Sequence, residues 1–296
     1  MINGVLLINK PEGITSFSVV NQIRRQLGRI KCGHSGTLDP MASGLLPVLL
    51  GKATKLSNYI TSENKAYFCK MKFGILTDTF DITGNILKTD NAAVSESDIK
   101  KVLPSFLGEI EQTPPIYSAI KVNGTPLYKH ARNNTKVDIP KRKVEIYNIK
   151  FAGFDKKTKE LCLDVKCSKG TYIRSLCVDI AKSLGTIASM SYLDRYQNGN
   201  FLLTDAIKLD EALSYINEGT IENYILNLDR VLDAYPKYYV NEFYSKLLIN
   251  GCEIDISKLK GLPENICRVY CDQLLGLGSI ISRDDGRYFK LTVHLK

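Results

Sequence analysis

Residues 33–40, with the sequence GHSGTLDP, constrain the fold of this chain more than any other segment. They have neither helical nor strand periodicity, so they predict a loop. The two glycines permit positive φ angles or a close approach of the backbone to a ligand. Pro40 fixes its own φ and pushes Asp39 toward extended geometry. One carboxylate therefore stands on a stiffened loop, near one of only three histidines. For this segment alone, an ordinary Asp-Pro turn is the simpler interpretation.

Length and composition indicate a globular protein. A chain of 296 residues has room for one or two domains with a substantial core. Its content of 44% hydrophobic and 24% charged residues is ordinary for such proteins. No apolar run is long enough to cross a bilayer, and the first ten residues lack the basic start of a signal peptide. These features predict a cytoplasmic protein that does not associate with membranes.

The eight cysteines are scattered, without a Cys-x-x-Cys motif. Cys162 and Cys167 are five positions apart in a strand-like run and should face opposite sides of it. Zinc-ligand spacing and the His-Glu-x-x-His motif are both missing from the sequence. We therefore expect free thiols and no bound metal.

Positive charge is concentrated in one window. The chain has a formal charge of +9, and residues 121–174 contain 14 Lys and Arg against 5 Asp and Glu. That window alone nets 14 − 5 = +9, so the rest of the chain nets zero. A basic face of this density suits a polyanion, with nucleic acid as the first hypothesis. The alternative is a solvated basic surface that binds nothing.

Hydrophobic periodicity predicts the main elements of an α+β protein. Strands are predicted at residues 5–8, 45–50, 67–73, 144–154, 161–167, 267–270, 274–282 and 288–293. Helices are predicted at residues 16–27, 54–60, 95–103 and 171–184. Residues 121–143 are basic and poor in core residues, so they should form an excursion from the main body. The change in character near residue 232 predicts two domains, 1–231 and a small β-rich domain at 232–296.

Four motifs flank the loop in a fixed order. They are GVLLINKPEGITS at residues 4–16, MASGLLPVLLGKATK at 41–55, KAY at 65–67 and SKGTYIR at 168–174. With the loop, this set resembles the TruB family, the bacterial tRNA pseudouridine-55 synthases. Single motifs of the set are unspecific, but the ordered set is highly specific. The likeness is strong from residue 4 to about residue 195 and weak beyond it.

The resemblance implies an architecture. The α+β fold would have a mixed, largely antiparallel central sheet of the pseudouridine-synthase type with flanking helices. The basic segment at residues 121–143 would be the insertion that closes over the RNA stem-loop. Residues 232–296 fall where the family carries a PUA-type RNA-binding domain.

The resemblance also implies four catalytic residues. Asp39 corresponds to the family's essential aspartate, and Arg174 to the cation that keeps it ionised and oriented. Tyr67 corresponds to the tyrosine that stacks on the target uracil, and Tyr172 to a second pocket tyrosine near C5. Without the resemblance, Tyr67 is simply a core residue. For Arg174 the alternative is a surface residue early in a helix, but its place two residues after Tyr172 favours an active-site role. Asp39 attacks C1′, takes a 2′ proton to give a glycal, or attacks C6, and the sequence leaves all three routes open. Tyr172, Asp39 and water are all open as acceptors of the C5 proton.

Five further residues are implied to bind substrate or support the site. Leu193 would supply an apolar wall, and Asp81 would be an acidic residue near the site. His34 would contact the strand displaced when the target base is flipped out. Lys10 and Pro11 would support the catalytic loop from beneath.

The functional expectation is isomerisation of uridine 55 in the T loop of tRNA to pseudouridine. The enzyme would act as a monomer on the T stem-loop, with no cofactor and no obligatory protein partner. One alternative is a non-catalytic RNA-binding factor or RNA chaperone that uses the same basic groove. Another is an aspartate-dependent glycosidase or N-glycosylase, which usually needs paired carboxylates.

Overall fold

The computed structural model describes residues 2–61, 64–133, 135 and 137–296. Its first part alternates strands and helices. These elements are β1 Gly4–Lys10, α1 Ser16–Gln26, β2 Cys32–His34, β3 Ser43–Leu50, α2 Ser57–Thr61, β4 Lys65–Phe73, β5 Ile75–Thr77, β6 Ile86–Thr89, α3 Glu96–Val102 and β7 Gly108–Gln112. A 3₁₀ helix, Gly51–Leu56, leads into α2. The predicted loop at residues 33–40 is therefore partly a strand, because β2 pairs with β3.

Residues 113–231 contribute the remaining elements of the main body. These elements are β8 Lys121–Val122, β9 Thr125–Pro126, α4 Leu127–Arg132, β10 Arg142–Asp155, β11 Glu160–Cys167, α5 Ile173–Ser183, β12 Ala188–Asn198, β13 Phe201–Leu202, β14 Ile207–Lys208, α6 Leu209–Glu218, β15 Ile225–Leu226 and α7 Leu228–Val231.

The main sheet has the order β14-β1-β3-β12-β4-β11-β10-β7, and β2, β13 and β15 pair beside this path. Among the described residues of this sheet, only the pairs β1·β14 and β3·β12 are parallel. The prediction of a mixed, largely antiparallel sheet is therefore confirmed. This arrangement places β4 and β12 side by side at the centre, with Leu193 opposite Cys69 and Arg195 opposite Tyr67.

Hydrophobic periodicity did not predict strand β12, although this strand lies at the centre of the sheet. Register shifts at Met190/Tyr192 and at Arg195/Gln197 interrupt its pairing with β4. Each bulge inserts a residue and changes the side to which later side chains point. The two-residue alternation that reveals a half-buried strand is therefore lost.

Two helices lie on the core face of the sheet and position the loops of interest. Helix α1 begins where predicted, with the Thr15 hydroxyl accepting a bond from Ser18 N at 3.0 Å. Helix α5 begins after Tyr172, whose backbone N–H and C=O both bond to the Gln112 side chain, at 2.8 and 3.0 Å. Gln112 is buried, so the start of α5 is fixed against β7.

The excursion at residues 121–143 is more ordered than its composition predicts. It forms the β8–β9 hairpin followed by α4. Leu127 is fully buried, and its N–H bonds to Ile120 O at 2.7 Å. One apolar side chain therefore anchors an otherwise exposed, basic segment. Residues 134 and 136 of the excursion lie outside the described residues.

The C-terminal residues form the predicted β-rich unit. Its elements are β16 Lys237–Tyr239, α8 Glu242–Ile249, β17 Ile254–Asp255, β18 Cys267–Tyr270, β19 Leu274–Arg283 and β20 Gly286–His294. The strands make one five-stranded sheet in the order β16-β18-β19-β20-β17. Leu277, Val293 and Leu295 of this unit share a buried cluster with Val5 and Leu45 of the main body.

The eight cysteines are free thiols. Cys162 is half-buried and Cys167 is buried, which agrees with opposite faces of β11. Within the described ranges, no three His, Cys, Asp or Glu side chains are grouped as metal ligands. No helix in the same ranges is long and apolar enough to span a membrane.

Candidate active site

The loop that carries Asp39 is held in place by backbone-directed bonds. The Ser16 hydroxyl, at the start of α1, accepts from Leu38 N at 2.9 Å and bonds to Leu38 O at 3.0 Å. Ala42 N donates to Asp39 O at 3.0 Å. Gly36 has a φ of +74°, a conformation that glycine adopts without strain. The backbone is therefore held in place on both sides of Asp39.

Arg174, in the first turn of α5, meets the Asp39 carboxylate with a two-pronged contact. Its Nε lies 2.9 Å from Oδ2, and one terminal nitrogen donates to Oδ1 at 3.1 Å. The same guanidinium donates to Thr79 O at 2.9 Å and to Tyr117 O at 3.0 Å. Such a fork fixes the direction of the carboxylate as well as its charge. The alternative that Arg174 is a surface residue is excluded, since only 6% of its side chain is exposed.

The charge state of Asp39 depends on opposing influences. Burial raises the pKa of Asp39, and the nearby Asp81 carboxylate acts in the same direction. The charge of Arg174 and, more weakly, that of Lys10 lower it. Because a buried carboxylate without a cation would take up a proton, the Arg174 contact favours the ionised form.

Asp81 acts on Arg174 rather than on the cleft. Its Oδ2 lies 3.6 Å from Arg174, while its Oδ1 accepts bonds from the hydroxyls of Thr79 and Thr83 at 2.9 and 2.5 Å. Asp81 is buried and does not line the cleft. The preceding Phe80 has a φ of +64°, a strained conformation for a bulky residue. The sharp turn at Phe80 orients the Asp81 carboxylate toward the guanidinium.

Lys10 lies beneath the catalytic loop. It is fully buried, and its ammonium donates to Pro11 O and Ile14 O at 2.8 Å and to Pro40 O at 3.3 Å. Gly13 N also bonds to Pro40 O at 2.8 Å. Burial lowers the pKa of Lys10 to about 8, and the charge of Asp39 opposes that shift. The loop support that the resemblance implies for Lys10 and Pro11 is consistent with these bonds.

Asp39 and Arg174 lie in a cleft of about 790 Å³. Tyr67, Tyr172 and Leu193 also line it. Burial raises the pKa of Tyr67 to about 12 and raises that of Tyr172. Both phenols are therefore neutral at physiological pH. Beside them the cleft presents the Asp39–Arg174 pair, the Arg195 side chain and apolar or aromatic walls.

The open rim of the cleft is basic. The exposed Arg142, Lys143 and Lys169 line it, with Tyr117 and Tyr128 among them, and the buried Lys65 lies deeper in the cleft. Arg142 and Lys143 begin β10, and Lys169 belongs to the turn before α5. Cations interleaved with aromatic rings at the mouth of a cleft suit a nucleic acid strand.

Arg195 on β12 was missed from the sequence. Its side chain is buried, its Nε donates to Leu45 O at 2.9 Å, and a terminal nitrogen donates to Gly36 O at 2.8 Å. It also hydrogen-bonds the Tyr67 hydroxyl. Arg195 therefore ties β3, β4 and the catalytic loop to one side chain. The sequence feature that could have indicated Arg195 is its position two residues after Leu193, in a segment that did not resemble a strand.

His34 lies on β2, outside the residues that line the cleft. Burial and the charge of Arg195 lower the pKa of its imidazole, so His34 is neutral at physiological pH. Of the nine site residues predicted from the sequence, five surround the cleft: Asp39, Tyr67, Tyr172, Arg174 and Leu193. The other four, His34, Asp81, Lys10 and Pro11, lie behind or beside it.

Comparison with known proteins agrees with this geometry. The sequence model described as TruB family pseudouridylate synthase (N terminal domain) matches residues 24–173. The chain is 42% identical to tRNA pseudouridine synthase B of Clostridium kluyveri over 94% of this chain and 95% of that protein. It is 41% identical to the protein of the same name from Bacillus pumilus, over 85% of this chain and 83% of that one.

Two solved structures share the fold. A crystal structure of a Cbf5-Nop10-Gar1 complex has a TM-score of 0.72 and 26% identity, with 95% of this chain and 79% of that chain covered. The structure of an H/ACA RNP bound to a substrate RNA containing 2′-deoxyuridine has a TM-score of 0.73 and 23% identity. It covers 99% of this chain and 85% of the matched chain.

Proposed function

Because the chain belongs to the TruB family of pseudouridylate synthases, we propose that its cleft isomerises uridine 55 in the T loop of tRNA. The chain is a tRNA pseudouridine synthase, an isomerase that converts a tRNA uridine into pseudouridine. The proposal adds the position of the uridine, the residues that act on it and the RNA element that enters the cleft.

The observation that carries the proposal is the Asp39–Arg174 fork inside the cleft. The reaction breaks the N1–C1′ bond, turns the uracil and joins C5 to C1′, so it needs an ionised carboxylate beside the sugar. About a third of the Asp39 side chain is exposed, whereas its guanidinium partner is buried. The carboxylate can therefore reach a substrate while Arg174 keeps it charged and aimed.

The detached base needs a pocket that holds it while it turns. Tyr67 and Leu193 are neighbours across β4 and β12, and Tyr172 faces the same cleft. We assign Tyr67 to stacking on the uracil, Leu193 to the apolar wall and Tyr172 to the region of C5. Asp39 either attacks C1′ or removes the 2′ proton to give a glycal, and both routes use the same ionised carboxylate. Attack of the Asp39 carboxylate on C6 of the uracil is a third route.

The surrounding elements support recognition of RNA. A uridine inside a folded loop has to be flipped out before chemistry, and we assign His34 to contact with the strand it leaves. The excursion at residues 121–143 would close over the T stem-loop. Residues 232–296 would be a PUA-like RNA-binding domain, with Tyr239 and Phe243 as exposed aromatic side chains available for stacking. We propose a monomer that works in the cytoplasm without a protein partner.

Two features weigh against the other functions. A non-catalytic RNA-binding protein would be weakened by an anionic carboxylate facing RNA phosphates. A glycosidase needs two carboxylates that both face the sugar. Asp81, the second carboxylate near Arg174, is buried and bonded to threonine hydroxyls instead.

The test is incubation with an unmodified tRNA transcript, followed by site-resolved mapping of pseudouridine. We expect one modified position, uridine 55, and no product from a transcript with cytidine at that position. An isolated T stem-loop should also be modified. Pseudouridine elsewhere in the transcript, with none at position 55, would contradict the assigned target.

A further inference from the structure

A second basic surface lies outside the cleft and outside residues 121–174. Between residues 13 and 60 the chain has six Lys or Arg and a single acidic residue, Asp39, which faces the cleft. We call these six residues the N-terminal ridge. They are Arg24, Arg25, Arg29, Lys31, Lys52 and Lys55. None of them lines the cleft.

Backbone bonds bring the ridge residues together. Arg24 and Arg25 occupy the last turn of α1, and Arg29 N bonds to Arg24 O at 2.8 Å. Gly51 N bonds to Lys31 O at 2.8 Å, which places Lys52 beside the start of β2. Lys55 follows three residues later in the same 3₁₀ helix, where positions i and i+3 align. The ridge is therefore continuous across α1, β2 and the 3₁₀ helix.

In the described part of the chain, the ridge cations are exposed without a carboxylate partner. Some exposed lysines and arginines elsewhere do pair with a carboxylate, for example Lys100 with Glu96 at 2.5 Å and Arg283 with Glu253 at 2.7 Å. Within residues 2–61, 64–133, 135 and 137–296, no carboxylate lies within 4.0 Å of a ridge cation. Five of the six ridge residues are exposed, and Lys52 is half-exposed. The ammonium of Lys55 donates to His294 O at 2.7 Å. The charge of the other five residues is open to an external anion.

The order of the sheet separates the ridge from the basic rim of the cleft. The ridge adjoins β2 and β3, whereas Arg142 and Lys143 begin β10, and β12, β4 and β11 lie between them. Tyr67 and Leu193, on β4 and β12, lie in that intervening region. Along the sheet, the ridge and the basic rim therefore flank the strands that carry Tyr67 and Leu193.

We propose that the N-terminal ridge binds the phosphate backbone of the substrate tRNA and forms a second electrostatic contact beside the catalytic loop. The inference rests on the proposed function, since it takes the occupant of the cleft to be tRNA. Exposed cations without a surrounding apolar patch suit phosphates, because the cores of protein interfaces are depleted in charge. His34, on β2, connects the ridge to the catalytic loop.

The test compares the salt dependence of tRNA binding by wild type and a ridge variant, Arg24→Gln/Arg25→Gln/Arg29→Gln/Lys31→Gln. Each lost phosphate contact should reduce the slope of log affinity against log salt by about 1. The expected slope is therefore shallower by about 3 to 4 units. The double variant Arg24→Gln/Arg25→Gln should give about half of that change.

The control variant has the same change of charge elsewhere, Lys88→Gln/Lys100→Gln/Lys101→Gln/Lys182→Gln. All four of its lysines are exposed. It should leave the slope at the wild-type value. Equal slopes for wild type, the ridge variant and the double variant would overturn the proposal, and so would equal losses in the ridge and control variants.

Repeating the titration with an isolated T stem-loop locates the contact. A loss confined to full-length tRNA supports a contact outside the stem-loop, and a loss with both RNAs supports a contact within it. Failure of the proposed function has a different signature. In that case wild-type enzyme makes no pseudouridine at position 55, whatever the ridge variants bind.

Discussion

The floor of the cleft and its basic rim use positive charge in opposite ways. On the floor, the buried Arg174 guanidinium bonds to Asp39 and to two backbone carbonyls. On the rim, the Lys143 side chain is 70% exposed and pairs with Glu109 of β7 at 2.8 Å, and Arg142 and Lys169 are also exposed. On the floor, a single guanidinium is fixed in one orientation. On the rim, several cationic side chains are exposed and only loosely held.

This difference has an energetic basis. Removing one partner of a buried ion pair leaves an uncompensated charge. It typically lowers the free energy of unfolding by about 3–5 kcal/mol. An exposed ion pair contributes only about 0–1 kcal/mol to the free energy of unfolding, and salt weakens it. Substitutions on the floor should therefore lower the rate of the chemical step. Substitutions on the rim should mainly lower the affinity for RNA and its dependence on salt.

Asp39→Asn should produce the largest separation of rate from affinity. The amide fills the same volume but carries no charge, so pseudouridine formation should fall by at least about a thousandfold. Affinity for tRNA should stay within about tenfold, because contacts elsewhere hold the RNA. Single-turnover rates and binding titrations on the same transcript measure both quantities. A normal rate in this variant would remove Asp39 from the mechanism.

Arg195→Gln should loosen the catalytic loop without removing the contact between Asp39 and Arg174. Gly36 O and Leu45 O lose a charged donor, so the melting temperature should fall and the single-turnover rate should drop by about tenfold to a hundredfold. Arg268→Gln provides a matched control, because Arg268 is also buried and bonds to Tyr235 O and to Asp229 of α7, and none of these residues lines the cleft. It should lower the melting temperature and leave the rate close to wild type. Equal rate losses in both variants would reduce Arg195 to a purely structural role.

Arg142→Gln/Lys143→Gln/Lys169→Gln should weaken tRNA binding by about tenfold and make its salt slope shallower by about 3. The single-turnover rate at saturating enzyme should change much less than the affinity. Lys141→Gln is the control on the same segment, because Lys141 does not line the cleft, although it pairs with a β7 glutamate as Lys143 does. If Lys141→Gln changed the slope as much as the triple variant, the RNA path would run outside the cleft mouth.

Much of the fold could be predicted from the sequence where alternation or capping is regular. The strand at residues 267–270 and the start of α1 after Thr15 were both predicted correctly. Strand β12 was not, because two bulges remove its alternation. The C-terminal helix α8 was also missed, and its four buried or half-buried apolar positions are too few for a clear periodicity.

The candidate site was predictable from a set of motifs but not from periodicity. Asp39 and Arg174 are 135 positions apart, and the contact that joins them is a tertiary one. The resemblance linked them, and the place of Arg174 two residues after Tyr172 favoured an active-site role over a surface position. Arg195 had no such link, since its bonds reach backbone carbonyls that no sequence pattern identifies. Side chains that act through backbone groups are the part of a site that sequence reasoning misses most easily.

The most direct test of the account is the pH dependence of the single-turnover rate in Arg174→Lys and Arg174→Met. Burial raises the pKa of Asp39 and Arg174 opposes that rise. Loss of the guanidinium should therefore raise the pKa further and reduce the ionised fraction at neutral pH. We expect Arg174→Met to be strongly impaired, with a rate that increases with pH through the raised pKa. Arg174→Lys should keep a near-normal pH profile and part of the activity, because it keeps the charge but loses the fork. Equal damage in both variants, with the pH profile of wild type, would contradict the claim that Arg174 keeps Asp39 ionised.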